Sequence, residues 1–246
     1  MTDHAVVSRD EWLEARKALL EAEQEHGTRS EELAKRRLEL PWVRVEKEYA
    51  FDTEEGKKTL PELFDGRSQL LAYNIMFGPS YEAACPGCSN LADHLSDAVV
   101  HMNHRDVTLI AFSRAPIAKL KAYKQRMGWT FPWVSTHGSD FAFDFQLALT
   151  KEELSGIDEV QAMLDDPPDW IQQWAEQVGS DLESAMPENP SWIAFAREDG
   201  DVYQTYFQAA PDRDFVVPYY SVLLDRAPKG RPDDFTAYRK DEYPDP

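Results

Sequence analysis

The only two cysteines of this chain lie close together in the sequence, as Cys85 and Cys88, with Pro86 and Gly87 between them. No other cysteine occurs in the 246 residues, so no second pair is present to complete a four-thiolate metal site. Two thiols at this spacing are typical of a centre that cycles between a dithiol and a disulfide. The sequence therefore predicts thiol-disulfide chemistry at Cys85 and Cys88, with no cofactor and no metal ion.

The two thiols are predicted to differ, because they take different positions at the start of a helix. Apolar residues recur at helical spacing from Ser89 to about Asn103, directly after the pair. A helix N-terminus offers unpaired N–H groups and a partial positive charge, and both stabilise a thiolate. We expect Cys85 to be the exposed attacking thiolate, and Cys88 to be buried and to resolve the mixed disulfide. No lysine or arginine is close in sequence, which predicts a moderate fall in the pKa of Cys85.

The elements around the pair alternate between strands and helices. Buried strands are predicted at residues 70–77 and 107–112, and a shorter strand at 131–135. A helical insertion is predicted from about residue 146 to 190, followed by a hairpin that turns at Asp199-Gly200. This order predicts an α/β fold, a thioredoxin-like mixed sheet flanked by helices. The pair follows the first central strand at its carboxyl end, where sites of open α/β sheets gather.

The first 40 residues are predicted to be a helical extension. Capping boxes at Ser8–Glu11 and Thr28–Glu31 predict two charged helices, the first of which ends at His26-Gly27. We therefore divide the chain into an N-terminal helical extension, residues 1-40, and a thioredoxin-like domain, residues 41-246. The extension is expected either to wrap the domain or to pair between subunits, in which case the protein is a homodimer.

Polar residues at the carboxyl ends of the next two strands are candidates to tune the thiols or to contact a substrate. Arg114 follows the second buried strand, on the side where Cys85 is expected. Its alternative role is a structural salt bridge. Ser135 and Thr136 end the third strand and are candidates to hydrogen-bond a thiolate or a substrate. Their alternative role is to cap the backbone at the end of the strand.

A stripe of titratable residues on the helix after the pair is the one candidate for metal binding. His94, Asp97, His101 and His104 follow one another at helical spacing, and histidines one turn apart can bind zinc. A solvated polar face is the alternative. Cys88 and His94 are separated by roughly 9 Å of helical rise, so they share an ion only if the start of the helix is distorted. We therefore assign no metal ligand.

The charge of the chain excludes two classes of partner. Acidic residues outnumber basic ones by 45 to 26, and the net charge is −19. No basic stripe is present to release counterions from phosphates, which argues against nucleic acid and against anionic membranes. The sequence shows neither a signal peptide nor an apolar run of about 20 residues. The expected compartment is the cytoplasm, where a cysteine pair is more often catalytic than structural.

The motifs together resemble a thioredoxin-like domain-of-unknown-function family, number eight-nine-nine, whose members are predicted dithiol-disulfide oxidoreductases. The matching segments are Val7–Trp12, Leu40–Val43, Leu63–Leu70, Cys85–Ser89, Ala92–His94, Asn103–Thr108, Ser113–Pro116, Arg126–Trp129, Phe131–Ser135, Pro228–Arg231 and Asp241–Tyr243. The resemblance covers nearly the whole chain and implies the fold more firmly than the activity. The segment before Gly200 also resembles the final hairpin of thioredoxins, which makes Pro190 the candidate for a cis-proline facing the disulfide.

Two classes of function follow from these observations. The first is a thiol-disulfide oxidoreductase that acts on a protein or small-molecule disulfide and draws on an electron donor. The second is a redox-sensing or non-catalytic protein-binding module on the same scaffold, with the helical insertion as its contact surface. Trp170 and Trp174 lie on an amphipathic stripe of this insertion. Packing against the sheet is the structural interpretation of that stripe, and a partner-binding surface is the functional one.

Overall fold

A computed structural model describes residues 5–209, 218–231 and 237–243. The chain divides into two compact units, Met1–Trp42 and Val43–Pro246. The first unit contains helix α1 (Arg9–Leu38), which begins at a capping box formed by Ser8 and Glu11. No helix in the described residues is long and apolar enough to cross a lipid bilayer.

Helix α1 is continuous, so the prediction of two helices that separate at His26-Gly27 is wrong. Thr28 does not cap a new helix, because its hydroxyl donates a hydrogen bond to the carbonyl of Gln24, one turn earlier. Gly27 lies in the helix interior, where a glycine costs about 1 kcal/mol relative to alanine. The helix nevertheless continues through Gly27 to Leu38.

The second unit is built on one mixed sheet. Its strands are β1 (Val43–Arg44), β2 (Ala50–Thr53), β3 (Gly56–Thr59), β4 (Gln69–Asn74), β5 (Val107–Ser113), β6 (Trp133–Ser135), β7 (Ser191–Glu198) and β8 (Asp201–Ala209). Their order across the sheet is β1-β8-β7-β4-β5-β6-β2-β3. Strands β4, β5 and β6 are parallel, whereas β7 is antiparallel to β4. The predicted thioredoxin-like mixed sheet is thereby confirmed.

Helices pack around this sheet. They are α2 (Pro86–Ala92), α3 (Leu95–Asn103), α4 (Ile117–Met127), α5 (Phe141–Asp144), α6 (Lys151–Ser155), α7 (Asp158–Asp165), α8 (Asp169–Val178), α9 (Leu182–Ala185) and α10 (Tyr219–Leu224), with a 3-10 helix at Pro61–Phe64. Helices α5 to α9 connect β6 to β7. The single helix predicted from Ser89 to Asn103 is instead two helices, α2 and α3, which separate at Asp93 and His94.

The core has two parts. One part contains Phe51, Phe64, Phe112, Phe141 and Phe195. The other part contains both cysteines, together with Tyr73, Phe77, Leu91, Met127 and Trp133. Successive side chains of β4 point to opposite faces of the sheet, so Ala72 joins the first part and Tyr73 the second. The thiols therefore lie in an apolar environment rather than on an open surface.

Candidate redox site

The cysteine pair lies just beyond the carboxyl end of β4. Cys85 is the N-cap residue of α2, and Pro86 is the first residue of that helix. The Cys85 N–H donates to the carbonyl of Met76, at 2.9 Å, which fixes the loop that enters the helix. The Ser89 hydroxyl donates to the carbonyl of Cys85, at 3.0 Å. These two bonds fix the backbone N–H and the backbone carbonyl of Cys85.

Both thiols are free and buried. Cys85 is 8% exposed and Cys88 is 3% exposed. Burial of Cys88 agrees with the sequence prediction, whereas the exposed Cys85 that we expected is not observed. The reason is that helix α8, from the insertion, lies against the pair and places an indole ring beside the Cys85 sulfur.

The surroundings of Cys85 favour its thiolate. A hydrogen bond from the Cys88 side chain lowers the pKa of Cys85 most, and the backbone N–H of Cys88, the indole of Trp174 and the backbone N–H of Gly87 lower it further. Burial opposes these contacts, and the resulting pKa is about 6. The helix start thus supplies two of the donors, while two side chains supply the others.

The surroundings of Cys88 favour its neutral thiol. Burial raises its pKa well above 9.0, and the hydrogen bond to Cys85 and the charge of Cys85 raise it further. A side-chain hydrogen bond with Tyr73 acts in the opposite direction. At neutral pH the pair therefore consists of one thiolate, at Cys85, and one thiol that donates to it, at Cys88. This is the protonation state in which Cys85 can attack a disulfide.

Trp174 is a site residue that the sequence did not identify as such. Its Nε1 lies 3.4 Å from the Cys85 sulfur, and its ring stands edge-on to Tyr81 at 6.1 Å between centroids. The end of α8 is tied to the cysteine loop by a hydrogen bond from the Glu82 N–H to the carbonyl of Val178, at 2.8 Å. The amphipathic stripe of α8 predicts the burial of Trp174, but not its contact with a thiol.

Arg114 pairs with a buried carboxylate. Its Nη1 lies 2.9 Å from Oε1 of Glu188, whose side chain is 1% exposed. The guanidinium also stacks on the Phe143 ring, at 4.5 Å from the centroid. Burial raises the pKa of Glu188 to about 7, although Arg114 lowers it. Of the two roles considered for Arg114, the contacts are those of a structural salt bridge.

The other three candidate residues lie near the carboxyl edge of the sheet. The Ser135 hydroxyl donates to the carbonyl of Ala115, at 2.7 Å, and the Thr136 hydroxyl donates to that of Ser113, at 3.3 Å. Both hydroxyls thus contact the backbone, which is the alternative role. Pro190 directly precedes β7, whose Ser191 pairs with Asn74 at the end of β4. A role for any of them in substrate contact stays a prediction.

The histidine stripe is divided by the break between α2 and α3. His94 is the N-cap of α3, and its ring contacts that of Tyr219, whereas His104 is the C-cap. Within the described ranges, no three His, Cys, Asp or Glu side chains are arranged to hold a metal ion. The break lies after Ala92, so Cys88 and the residues up to the break still lie along one helix.

The comparisons with known proteins identify a family. The profile of DUF899, described as "Bacterial protein of unknown function", matches residues 1–243. This match confirms the resemblance found in the sequence and spans nearly the whole chain. No curated protein matches the chain in sequence.

Solved structures with a similar arrangement of elements are distant in sequence. A cysteine-to-serine mutant of PrxQ from Xylella fastidiosa has a TM-score of 0.45 and 13% identity, with 70% of this chain and 82% of that chain covered. BsSco, a member of the Sco family of cytochrome c oxidase assembly proteins, has a TM-score of 0.41 and 17% identity, with coverage of 76% and 92%. Peroxidoxin BcpB from Mycobacterium tuberculosis has a TM-score of 0.37 and 14% identity, with coverage of 68% and 84%. Similarity at this level carries no argument about activity.

Proposed function

We propose that this chain, which belongs to the DUF899 family of bacterial proteins of unknown function, is a thiol-disulfide oxidoreductase. Cys85 is its attacking thiol and Cys88 its resolving thiol. The observation that carries the proposal is the geometry of the pair: Cys85 is the N-cap of α2, Cys88 follows in the first turn, and the indole Nε1 of Trp174 lies 3.4 Å from the Cys85 sulfur. These contacts lower the pKa of Cys85 to about 6, whereas burial raises that of Cys88 well above 9.0. A pair with only a structural role has no need of one charged and one neutral thiol in contact.

The proposed reaction transfers two electrons to a disulfide. The Cys85 thiolate attacks one sulfur of the substrate, which forms a mixed disulfide and releases the other sulfur as a thiolate that takes up a proton. Cys88 then loses its proton and attacks the Cys85 sulfur. The Cys85–Cys88 disulfide forms, the second substrate sulfur leaves, and it takes up the proton that Cys88 gave. A dithiol donor returns the pair to the reduced state by the same exchange in reverse.

The partners and the compartment belong to the proposal. The substrate is a disulfide of a protein or of a small molecule, and the electron donor is a dithiol. The net charge of −19 gives no basis for binding to nucleic acid or to an anionic membrane. We place the reaction in the cytoplasm, where thiols are kept reduced and an isolated cysteine pair is more often catalytic.

The burial of Cys85 favours a redox sensor as the alternative function. A thiol that is 8% exposed reacts with a large substrate only if α8 moves away from it. In a redox sensor, oxidation of the pair would alter the contact between Trp174 and Cys85 and thereby the surface of the insertion. A sensor forms the same disulfide but does not turn over with a protein disulfide.

A redox titration tests the proposal first. The protein is equilibrated in dithiothreitol or glutathione buffers, alkylated, and analysed by mass spectrometry for the reduced and oxidised pair. We expect a reversible two-electron midpoint between about −270 mV and about −180 mV, the values of thioredoxin and protein disulfide isomerase. A pair that remains reduced in every buffer contradicts the proposal.

Trapping with single-cysteine variants separates catalysis from sensing. Cys88→Ser leaves the attacking thiol without its resolving partner, so we expect mixed disulfides to accumulate with a model protein disulfide. Cys85→Ser is the matched control, and it should form none. Turnover of that substrate by the wild type with dithiothreitol indicates an oxidoreductase. A reversible titration without turnover and without trapping indicates a sensor.

A further inference from the structure

We propose that Arg239 is a positioning residue of the redox site, which holds the peptide before Cys85 and the helix of Trp174 in their reactive arrangement. The inference rests on the proposed function, because it concerns the reactivity of the same thiol. Arg239 belongs to the described segment 237–243, far from the cysteines in the sequence. It does not touch the reacting sulfur atoms, and its effect is exerted through other groups.

The guanidinium of Arg239 is buried in a site that satisfies its donors. The residue is 2% exposed. Its Nε and Nη2 donate to the carbonyl of Ala84 at 3.0 and 2.6 Å, and Nη2 also donates to the carbonyl of Gln177 at 2.7 Å. Its Nη1 lies 2.9 Å from both carboxylate oxygens of Glu242. A buried charge with this set of partners is costly to place and is retained only where the geometry is well matched.

The two carbonyls that Arg239 binds lie in the two elements that bring Trp174 and the Cys85 thiolate together. Ala84 directly precedes Cys85, and Gln177 follows Trp174 by one turn in α8. One side chain therefore links the loop of the nucleophile to the helix that carries its indole donor. Because a hydrogen bond to sulfur depends on distance and angle, a shift of either element weakens the contact between Trp174 and Cys85.

A separate contact holds the other side of the Cys85 peptide. The Tyr123 hydroxyl lies 3.0 Å from the Ser89 hydroxyl. The Ser89 hydroxyl donates to the Cys85 carbonyl. Since the Ser89 hydroxyl has one proton, Tyr123 donates to Ser89. Arg239 therefore acts on the peptide before Cys85, whereas Ser89 and Tyr123 act on the peptide after it.

The neighbouring residues attach the same segment to the protein at other points. Lys240 forms a salt bridge with Asp93, at the end of α2, at 3.0 Å. Arg126 forms salt bridges with Asp241 and Glu242 on the surface. These contacts hold the segment without reaching Ala84. A variant that removes one of these contacts therefore loosens the segment but keeps the hydrogen bonds of Arg239 to the Ala84 carbonyl.

The test is the pH profile of Cys85 alkylation in Arg239→Gln. A neutral side chain of shorter reach leaves the Ala84 and Gln177 carbonyls unpaired, so the loop and α8 shift relative to each other. We expect the pKa of Cys85 to rise by about one unit, which lowers the thiolate fraction, and thus the alkylation rate at pH 6, about fivefold. The redox midpoint should fall at the same time, because the thiolate of the reduced pair is stabilised less.

Lys240→Gln is the matched control, since it loosens the same segment at Asp93 and removes no partner of Arg239. We expect it to leave the alkylation profile unchanged. Arg239→Lys keeps the charge but cannot reproduce the planar fork, so it should give an intermediate profile even if Arg239→Gln does not fold. A folded Arg239 variant with the wild-type profile, or an equal shift in Lys240→Gln, overturns the inference. Failure of the wild-type pair to titrate overturns the proposed function instead.

Discussion

The indole Nε1 of Trp174 lies 3.4 Å from the sulfur of Cys85, although 89 residues separate them in the sequence. The donor comes from α8, in the insertion between β6 and β7, and not from the sheet that carries the cysteine loop. This contact has two consequences. It stabilises the Cys85 thiolate, and it covers the sulfur, so the reactivity and the accessibility of the thiol depend on the same helix.

Trp174→Phe should raise the pKa of Cys85. The substitution keeps an aromatic ring in the apolar stripe of α8 but removes the N–H donor. A hydrogen bond to a charged group contributes about 1.5–3 kcal/mol, which corresponds to a rise of roughly one to two pKa units from about 6. The measurement is the ultraviolet absorbance of the thiolate as a function of pH, in the reduced protein.

Trp170→Phe is the control for that variant. Trp170 lies on the same helix but is 60% exposed, so its substitution should leave the pKa of Cys85 unaltered. If Trp174→Phe titrates as the wild type does, the contact is packing only, and the thiolate is stabilised by the helix start and Cys88 alone.

The stability of the reduced protein should depend on pH through Cys85. Its pKa is about 6 in the folded state against 9.0 for a free thiol, so folding favours the thiolate. The stabilisation is complete above pH 9 and is lost as the pH falls toward 6, by about 1.4 kcal/mol per unit. We therefore expect the difference in unfolding free energy between wild type and Cys85→Ser to shrink from pH 9 to pH 6.

Cys88 does not reverse this trend within the window. Burial raises its pKa, so folding favours its neutral form, and that contribution is lost only as the pH rises above 9. Urea unfolding at a series of pH values, with reductant present, measures the difference. A difference that is constant from pH 6 to pH 9 contradicts the depressed pKa of Cys85.

Gly78→Ala should destabilise the loop between β4 and the cysteines. A Cβ at this position would lie 2.7 Å from Oε1 of Glu188, whose side chain is 1% exposed and held by Arg114. Such overpacking costs about 1–3 kcal/mol.

Gly27→Ala is the opposite case, because nothing lies within 4 Å of the added Cβ in helix α1. There we expect a gain of about 1 kcal/mol or less in helix stability. Thermal unfolding of both variants by circular dichroism compares them, and equal shifts would refute the close approach at Gly78.

The fold was largely predictable because its signals are local. The apolar runs of β4 and β5, the Asp199-Gly200 turn and the position of Cys85 at the start of a helix each depend on residues a few positions apart. The two wrong predictions, at Gly27 and between α2 and α3, depend on small differences in free energy. Whether Gly27 ends a helix, or whether α2 continues into α3, is decided by differences of about 1 kcal/mol, which residue spacing in the sequence does not resolve.

The candidate site was predictable only in its two thiols. Three further residues come from distant parts of the chain: Trp174 contacts Cys85, Glu188 pairs with Arg114, and Arg239 binds the carbonyl of Ala84. The sequence around each of them indicates a buried helix face or a loop, and gives no sign of a role in thiol chemistry. The local charge around Cys85 predicts a moderate pKa, whereas side chains from elsewhere in the fold take part in lowering it to about 6. A donor that arrives through tertiary structure has no signal in the motif itself.

Glu188→Gln should flatten the pH dependence of stability in acid. The folded pKa of Glu188 is raised to about 7 from 4.5, because burial outweighs the attraction of Arg114. Its stabilising contribution is complete below pH 4.5 and is lost as the pH rises through 7, by about 3 kcal/mol in total. The glutamine does not titrate, so the wild type should lose stability relative to Glu188→Gln from pH 4.5 to pH 7. Glu183→Gln is the control for loss of a carboxylate from an ion pair, since Glu183 pairs with Lys151 but is 71% exposed, and exposed pairs contribute little to stability. Urea midpoints at each pH provide the measurement, and parallel curves for wild type and Glu188→Gln would mean that the buried carboxylate stays ionised beside Arg114 throughout this range.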